Sequence, residues 1–366
     1  SPRLVTSAGD NSNQLRWNTN DAENAEYNPF PTPTGFKVVG SAGGGGGGSG
    51  TYIYMAIRRG GMQTPTTASD VFAIDGETDT SPTPPTYNSG FPVDLGLFRR
   101  NVSSSDSWYV FDRLRGNTQG LITNTNDAEQ NLGGAVYALD RNDGVGTYTG
   151  TSYPNAYAWM WKRARGYFDM ASYTGTGSVR TVSHNLGVVP EMIWVKRTDS
   201  GGSWGVWHED LTSGYYLGLD TDDAQLSNSN VWTTTDPTAT QFSVGSQGFT
   251  NASGGTFIAY LFATVAGVSK VGSFTYAGAS GATNVDCGFT SGSKFVIFKR
   301  TDSSGDWYVV DSTRGITSGN DPYLRLNLNN AQNTSTELIN QLDAGFTVQQ
   351  YQGVADGTYI FYAIAA

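Results

Sequence analysis

"GTFIAYLFATVAG", residues 255 to 267, is apolar or small at almost every position over the length of a strand. Such a run reads as a strand covered on both faces, central in its sheet rather than at the edge. The same phrase returns as "GTYIYMAIRRG" at 50 to 60, "NAYAWMWKRARG" at 155 to 166 and "GTYIFYAIAA" at 357 to 366, so that Tyr52, Tyr157, Phe257 and Tyr359 head its copies. Two further markers keep step with it. One is "NTNDAE" at 18 to 23 and again at 124 to 129, "DTDDAQ" at 220 to 225 and "NLNNAQ" at 327 to 332. The other is a hairpin, "FRRNVSSSDSW" at 98 to 108, "VKRTDSGGSW" at 195 to 204 and "FKRTDSSGDW" at 298 to 307, which carries Trp108, Trp204 and Trp307.

Repetition at this spacing divides the chain into a half repeat, 1–60, and three whole units, 61–166, 167–267 and 268–366. The half repeat holds the back strands "QLRWNTN", "GFKVVG" and "TYIYMAIRR" without front strands to pack on. Those strands need a cover, from an upstream extension or from a second subunit adding strands at the open edge. The first residues, "SPRLVTSAG", carry no initiator Met and are expected to be a processed end or the start of the ordered part of a longer chain. A repeat of about 100 residues exceeds solenoid periods and suffices for a sandwich with its own core, so separate beads are expected.

Within 168 to 267 the strands read as "YFDMASYTG", "VPEMIWVKR", "SWGVWHE", "YYLGLD", "VWTTT", "TQFSVG" and "TFIAYLFATV". In the second, Met192, Trp194 and Lys196 alternate with Ile193 and Val195. The fold class is therefore all-β, as tandem antiparallel β-sandwich repeats of jelly-roll-like order. "TSPTPPTY" at 80 to 87 interrupts the front of unit two, and "GGGGGG" at 43 to 48 reads as a surface loop.

Composition agrees with this reading. Charged residues are 15% of the chain, aromatic residues 13%, and 47 glycines supply turns. The net charge of −10 disfavours nucleic acid and anionic lipid as partners, and no apolar run is long enough to insert into a membrane. Cys287 is the single cysteine, which excludes an intrachain disulfide, and in "NVDCGF" it reads as a packed thiol.

Candidate chemistry is confined to a few residues. His184 and His208, with Glu209 and Asp210, are the most enzyme-like. The repeat places Asp112 and Asp311 where His208 stands, so a catalytic role would not recur, and His184 in "SHNLGVVP" reads as part of a turn. Asp220, Asp222 and Asp223 could offer oxygens to calcium, but the last unit has Asn327, Asn329 and Asn330 there, and an Asx turn accounts for the exchange. Lys196, Arg197 and Asp199, like Lys299, Arg300 and Asp302, flank a hairpin turn and can pair across it. Trp17, Trp108, Trp159, Trp161, Trp204, Trp207, Trp232 and Trp307 exceed what small sandwiches need, and surface members could stack on sugars or on a neighbouring subunit.

"TVSHNLGVVPEMIWVKRTDSGGSWGVWHEDL", followed by "GGTFIAYLFATVAGVSKVGSFTYAG", resembles a domain found in tandem in the virion structural proteins of tailed phages, marine ones in particular. His184 with Leu186 and Gly187, the Pro190 to Arg197 strand, the Ser203 to His208 strand and the terminal aromatic strand carry the likeness. It covers about 200 residues well; unit four has "CGFTSGSKFVIFKR" in place of the His-Asn-Leu-Gly turn, and units one and two match in their back halves. The resemblance implies an extracellular virion protein, a tail fibre or appendage, and transfers no catalytic residue. The expectation is a structural protein, not an enzyme, with no catalytic, cofactor-binding or metal residues and no assigned ligand site. Its partners would be further copies of itself or other virion proteins. The alternatives are a receptor- or glycan-binding module reading a host surface glycan, and a cellular extracellular adhesin or filament subunit.

Overall fold

In the computed structural model the described residues are 61–76, 87–100, 106–131, 137–139, 141–147, 156–278, 281–316, 319–349 and 354–366, with the backbone of four short strands between 12 and 37. Those four pair as two hairpins, Ser12–Gln14 with Asn24–Glu26 and Phe30–Thr32 with Gly35–Lys37. The half repeat's last strand, its glycine run, Trp17, "NTNDAE" at 18 to 23 and most of "TSPTPPTY" lie outside the described residues.

The regular structure of the rest is almost wholly antiparallel strand, joined by turns and loops. Among the described residues the helical segments are two single turns, Ala68–Asp70 and Gly248–Asn251. Every sheet is built from strands of one span, and the chain passes between spans at 162–167 and 263–268. In unit three the main sheet runs Phe168–Thr174, Thr256–Phe262, Met192–Arg197, Gly205–His208, Tyr215–Gly218 and Leu226–Ser227 in spatial order, and Arg180–Ser183 with Gln241–Val244 forms the second layer. Units two and four repeat this, Ala156–Trp161 and Gly357–Ala365 taking the place of Thr256–Phe262 between the first strand and the strand that opens the hairpin. The sandwich is lopsided, because the hairpin's returning strand stays beside its partner instead of crossing to the second layer as a strict jelly roll requires. "VWTTT" forms no strand. Val231 and Trp232 plug the sandwich core from a loop.

The continuous apolar strand follows from having a different core on each face. Phe257, Ala259, Leu261 and Ala263 turn into unit three's own sandwich with Ile193, Val195 and Phe242. Ile258, Tyr260 and Phe262 turn the other way, into a second core that also takes in Leu95, Trp108, Trp159 and Trp161 of unit two and Phe295, Trp307 and Tyr362 of unit four. Aromatic contacts cross between units there: Phe262 to Tyr362 at 5.1 Å, Phe72 to Phe295 at 5.3 Å and Trp161 to Phe295 at 5.5 Å between ring centroids. The units are not separate beads, since residues from all three central strands are buried in one shared core.

Register corrects one equivalence. Phe257 stands opposite Arg197 and Tyr359 opposite Arg300, but Arg100 stands opposite Ala156. Tyr157 is thus one residue out of step and on the opposite face, as a shift of one demands in a strand of period two. The true triplet is Trp159, Tyr260 and Tyr362, opposite Leu97, Trp194 and Ile297.

Candidate functional site

The three repeat markers converge on the contacts between units. Each hairpin tryptophan is held twice. Its backbone N–H donates within the unit to the first residue of the Asn/Asp marker: Trp108 to Asn124 Oδ1, Trp204 to Asp220 Oδ1 and Trp307 to Asn327 Oδ1, all at 3.0 Å. Its indole Nε1 donates into the next unit, to the carbonyl two residues before that unit's marker. Trp204 reaches Ile122 at 2.9 Å, Trp108 reaches Arg325 at 2.8 Å and Trp307 reaches Gly218 at 2.8 Å. Unit three thus grips unit two, unit two grips unit four, and unit four grips unit three, so the contacts run in one direction and close into a ring.

Next to each tryptophan's partner residue sits a buried cation. Arg99, Lys196 and Lys299 occupy one register position and are 2%, 0% and 0% exposed. Alternation dictates this, because Lys196 shares its strand face with Met192 and Trp194. Burial is tolerated because backbone carbonyls surround the charge. Lys299 Nζ donates to Asp222 O at 3.1 Å, Asp223 O at 2.7 Å and Arg300 O at 3.0 Å, which uses all three of its hydrogens. The Arg99 guanidinium donates to the Leu328 and Asn330 carbonyls of unit four and lies 5.2 Å from the Trp108 ring. Lys196 donates to Gly202 O, and Gly202 N–H in turn reaches Asn126 O of unit two at 2.7 Å. Burial pushes Lys196 and Lys299 down to about 8.

Nearer the ring's middle, Trp159, Tyr260 and Tyr362 meet the ends of the hairpin strands. Tyr260 donates its hydroxyl to Asp112 of unit two at 2.7 Å, and Trp159 donates Nε1 to Asp311 of unit four at 3.1 Å. Both carboxylates are fully buried and paired three residues on, Asp112 with Arg115 at 2.5 Å and Asp311 with Arg314 at 2.6 Å. Arg314 also lies 5.3 Å from the Trp159 ring. The third corner breaks the pattern. His208 stands where the aspartates stand, opposite Met192 as Asp112 is opposite Leu95 and Asp311 opposite Phe295, and Leu211 replaces the arginine. His208 Nδ1 accepts the Asp210 N–H at 3.1 Å, and its Nε2 approaches the backbone of Phe361 without closing an ordinary hydrogen bond. Burial pushes this imidazole down to about 4.

The remaining candidates are placed as follows. His184 is buried, stacked on Phe242, and bonded to Thr238 O at 3.1 Å, while its Nδ1 accepts the Leu186 N–H at 3.2 Å. With Gly187 at φ +80 it builds the turn that the sequence suggested. His184 and His208 are not brought together with each other in one site. Glu209 and Asp210 are exposed beside His208. Cys287 is buried, and burial pushes its thiol up to about 12. Arg197 pairs with Asp199 at 2.9 Å and Arg300 with Asp302 at 2.6 Å at the hairpin turns; Lys196 stays with its own turn at Gly202, and Lys299 reaches the carbonyls of unit three. The Asx-turn reading of Asp220 and Asn327 is corrected, since each caps a tryptophan N–H well away in sequence, and Asp222 and Asp223 turn their carbonyls to a lysine. Among the described residues no group of three or more His, Cys, Asp or Glu is arranged to hold a metal. The expectation of surface tryptophans fails for Trp108, Trp159, Trp161, Trp204, Trp232 and Trp307, all buried; among the described residues of that set Trp207 is half-buried, packed on the sandwich core. Trp108, Trp159, Trp161, Trp204 and Trp307 belong to the core between units, and Trp232 to unit three's own sandwich. Sequence reasoning missed Arg99, Tyr260 and Tyr362, although the inward alternation of Lys196 was a signal that its column is buried.

A family model described as a domain of unknown function (DUF7483) matches residues 69–366. No curated protein and no solved structure matches the chain.

Proposed function

The chain belongs to the DUF7483 family over residues 69–366, and from that premise we propose that it is a structural, non-enzymatic protein of a tailed-phage virion, a self-assembling fibre or appendage. The observation that carries the reading is that its chemically strongest side chains are consumed in three equivalent joints. Buried Asp112–Arg115 and Asp311–Arg314, the cations Arg99 and Lys299, and three tryptophan N–H groups all hold one unit to the next, and Lys196 braces the Gly202 turn whose N–H reaches unit two. A placement of the units that left these buried donors without their oxygens would be worse than an apolar core, so the bonds that are made favour one geometry of the units, with His208 Nε2 left open at the third corner. Rigid projection is the work such a block suits. The likeness of the His184 to His208 stretch to tandem virion domains supports the setting.

Antiserum raised against this chain, applied to purified particles from the source culture and viewed by immunogold electron microscopy, tests the proposal. Label on a particle's fibre or shell is the expected result. Label confined to the cell envelope would replace the virion reading with a cellular adhesin, and loss of label when particles are challenged with host glycan would favour the receptor-binding role.

A further inference from the structure

Unit three grips on one side and is gripped on the other. Its Trp204 indole and Gly202 N–H bond to unit two, and its Gly218, Asp222 and Asp223 carbonyls receive Trp307 and Lys299 of unit four. Each unit therefore carries both halves of the joint. A head-to-tail contact makes a filament when its rotation does not close and a ring when it does. Here three copies close it. Two of the joints lie between units that are consecutive in the chain, but the third, in which Trp108 and Arg99 of unit two hold Arg325, Leu328 and Asn330 of unit four, joins the ends of the series. No short link crosses that joint, so its own contacts hold it.

We infer that the joint is a self-association surface complete within one unit, whose partner is another copy of such a unit, and that the links at 162–167 and 263–268 are dispensable for holding the ring. This deepens the self-assembling part of the function proposed above by naming the partner, and it stands on the joints alone. A unit freed from its link loses only the effective concentration that the link supplied, which for a short connection is in the millimolar range. Unit four keeps two joints, one to unit three through Trp307 and Lys299 and one to unit two through Arg325, Leu328 and Asp311.

The test uses the full chain with a protease recognition sequence inserted between Ala266 and Gly267, both exposed, where a side chain on Gly267 would meet nothing within 4 Å. After cleavage at about 1 micromolar, a concentration at which a contact of ordinary strength persists, the fragments should co-elute at the mass of the uncut chain. When two cleaved preparations, one tagged on its C-terminal fragment, are unfolded together in denaturant and refolded, the tagged fragment should be recovered with the untagged N-terminal fragment. Lys299→Arg, which copies Arg99 in unit two, should hold as the parent does, and Lys299→Met should weaken retention at least tenfold. Fragments that separate or precipitate on cleavage would overturn the inference, as would Lys299→Met holding as tightly as the parent. Either failure leaves the labelling of particles untouched and so is distinguishable from failure of the virion reading.

Discussion

Asn124, Asp220 and Asn327 do one job with two side chains, because the only atom the tryptophan N–H requires is an acceptor oxygen, and both residues have it. The choice between them is set one residue before the tryptophan. Asn327 Nδ2 donates to Asp306 at 2.8 Å, and Asn124 Nδ2 faces Ser107 at 3.4 Å, whereas Asp220 stands beside Ser203, which can donate to it. Asn327→Asp should therefore cost about 1–3 kcal/mol at neutral pH by setting two carboxylates face to face, and Asp306→Ser in the same chain should recover most of it, read from denaturant melts as a double-mutant cycle. His208 supplies a second prediction at this scale. Its imidazole stays neutral down to about 4 in the fold, against 6.5 ordinarily, through burial, with Asp210 pulling the other way. The folded pKa is depressed for a base, so the neutral ring's contribution is complete above pH 6.5 and lost as pH falls toward 4. The loss is on the order of 3 kcal/mol. The melting temperature should fall over that window, and His208→Gln, which keeps an acceptor for the Asp210 N–H, should flatten the fall; an unchanged pH profile would show that His208 does not carry it.

At the scale of elements, the strand and its turn carry a paired choice. Two corners hold Asp with Arg three residues on, and the third holds His208 with Leu211. A buried pair that loses one partner leaves an uncompensated charge and costs about 3–5 kcal/mol, while replacing both partners can be nearly neutral. Arg314→Leu alone should thus be severe, and Asp311→His with Arg314→Leu, which copies the third corner, should be milder than the single change in thermal melts. The elements themselves were legible in the sequence: period-two alternation and glycine-rich turns announced "MIWVKR", "GVWH" and "TFIAYLF", and the continuous apolar run announced a central strand. "VWTTT" misled because β-branched and aromatic residues that plug a core from a loop look like a strand. The joints were visible as repeats but not as joints. Nothing local to Trp204 says that its indole leaves its own unit, since the acceptor at Ile122 is a backbone carbonyl, which no side-chain pattern marks.

For the molecule as a whole, the issue is whether a unit of about 100 residues, enough for an independent sandwich, behaves as one. Its sandwich core argues that it does. The second core argues otherwise, because Phe262 of one unit, Trp161 of another and Phe295 of a third are buried in the same cluster, with Phe262 against Tyr362 and Trp161 against Phe295. Removing one unit would expose these rings and strand the carbonyls and cations of two joints, a cost far above the few kcal/mol by which a small domain is stable. The three units should therefore unfold together, in one calorimetric transition over 61–366 whose van't Hoff and calorimetric enthalpies agree. Trp307→Ala provides the decisive variant. It removes a fully buried ring in unit four and its bond to Gly218, at a cost of about 3–5 kcal/mol. In a ring held by its joints, hydrogen exchange in the central strand of unit two, Ala156–Trp161, should accelerate along with that in Gly357–Ala365, though no residue of unit two has changed. If Ala156–Trp161 keeps its protection while Gly357–Ala365 loses it, the units unfold as separate beads and the shared core is contact without coupling.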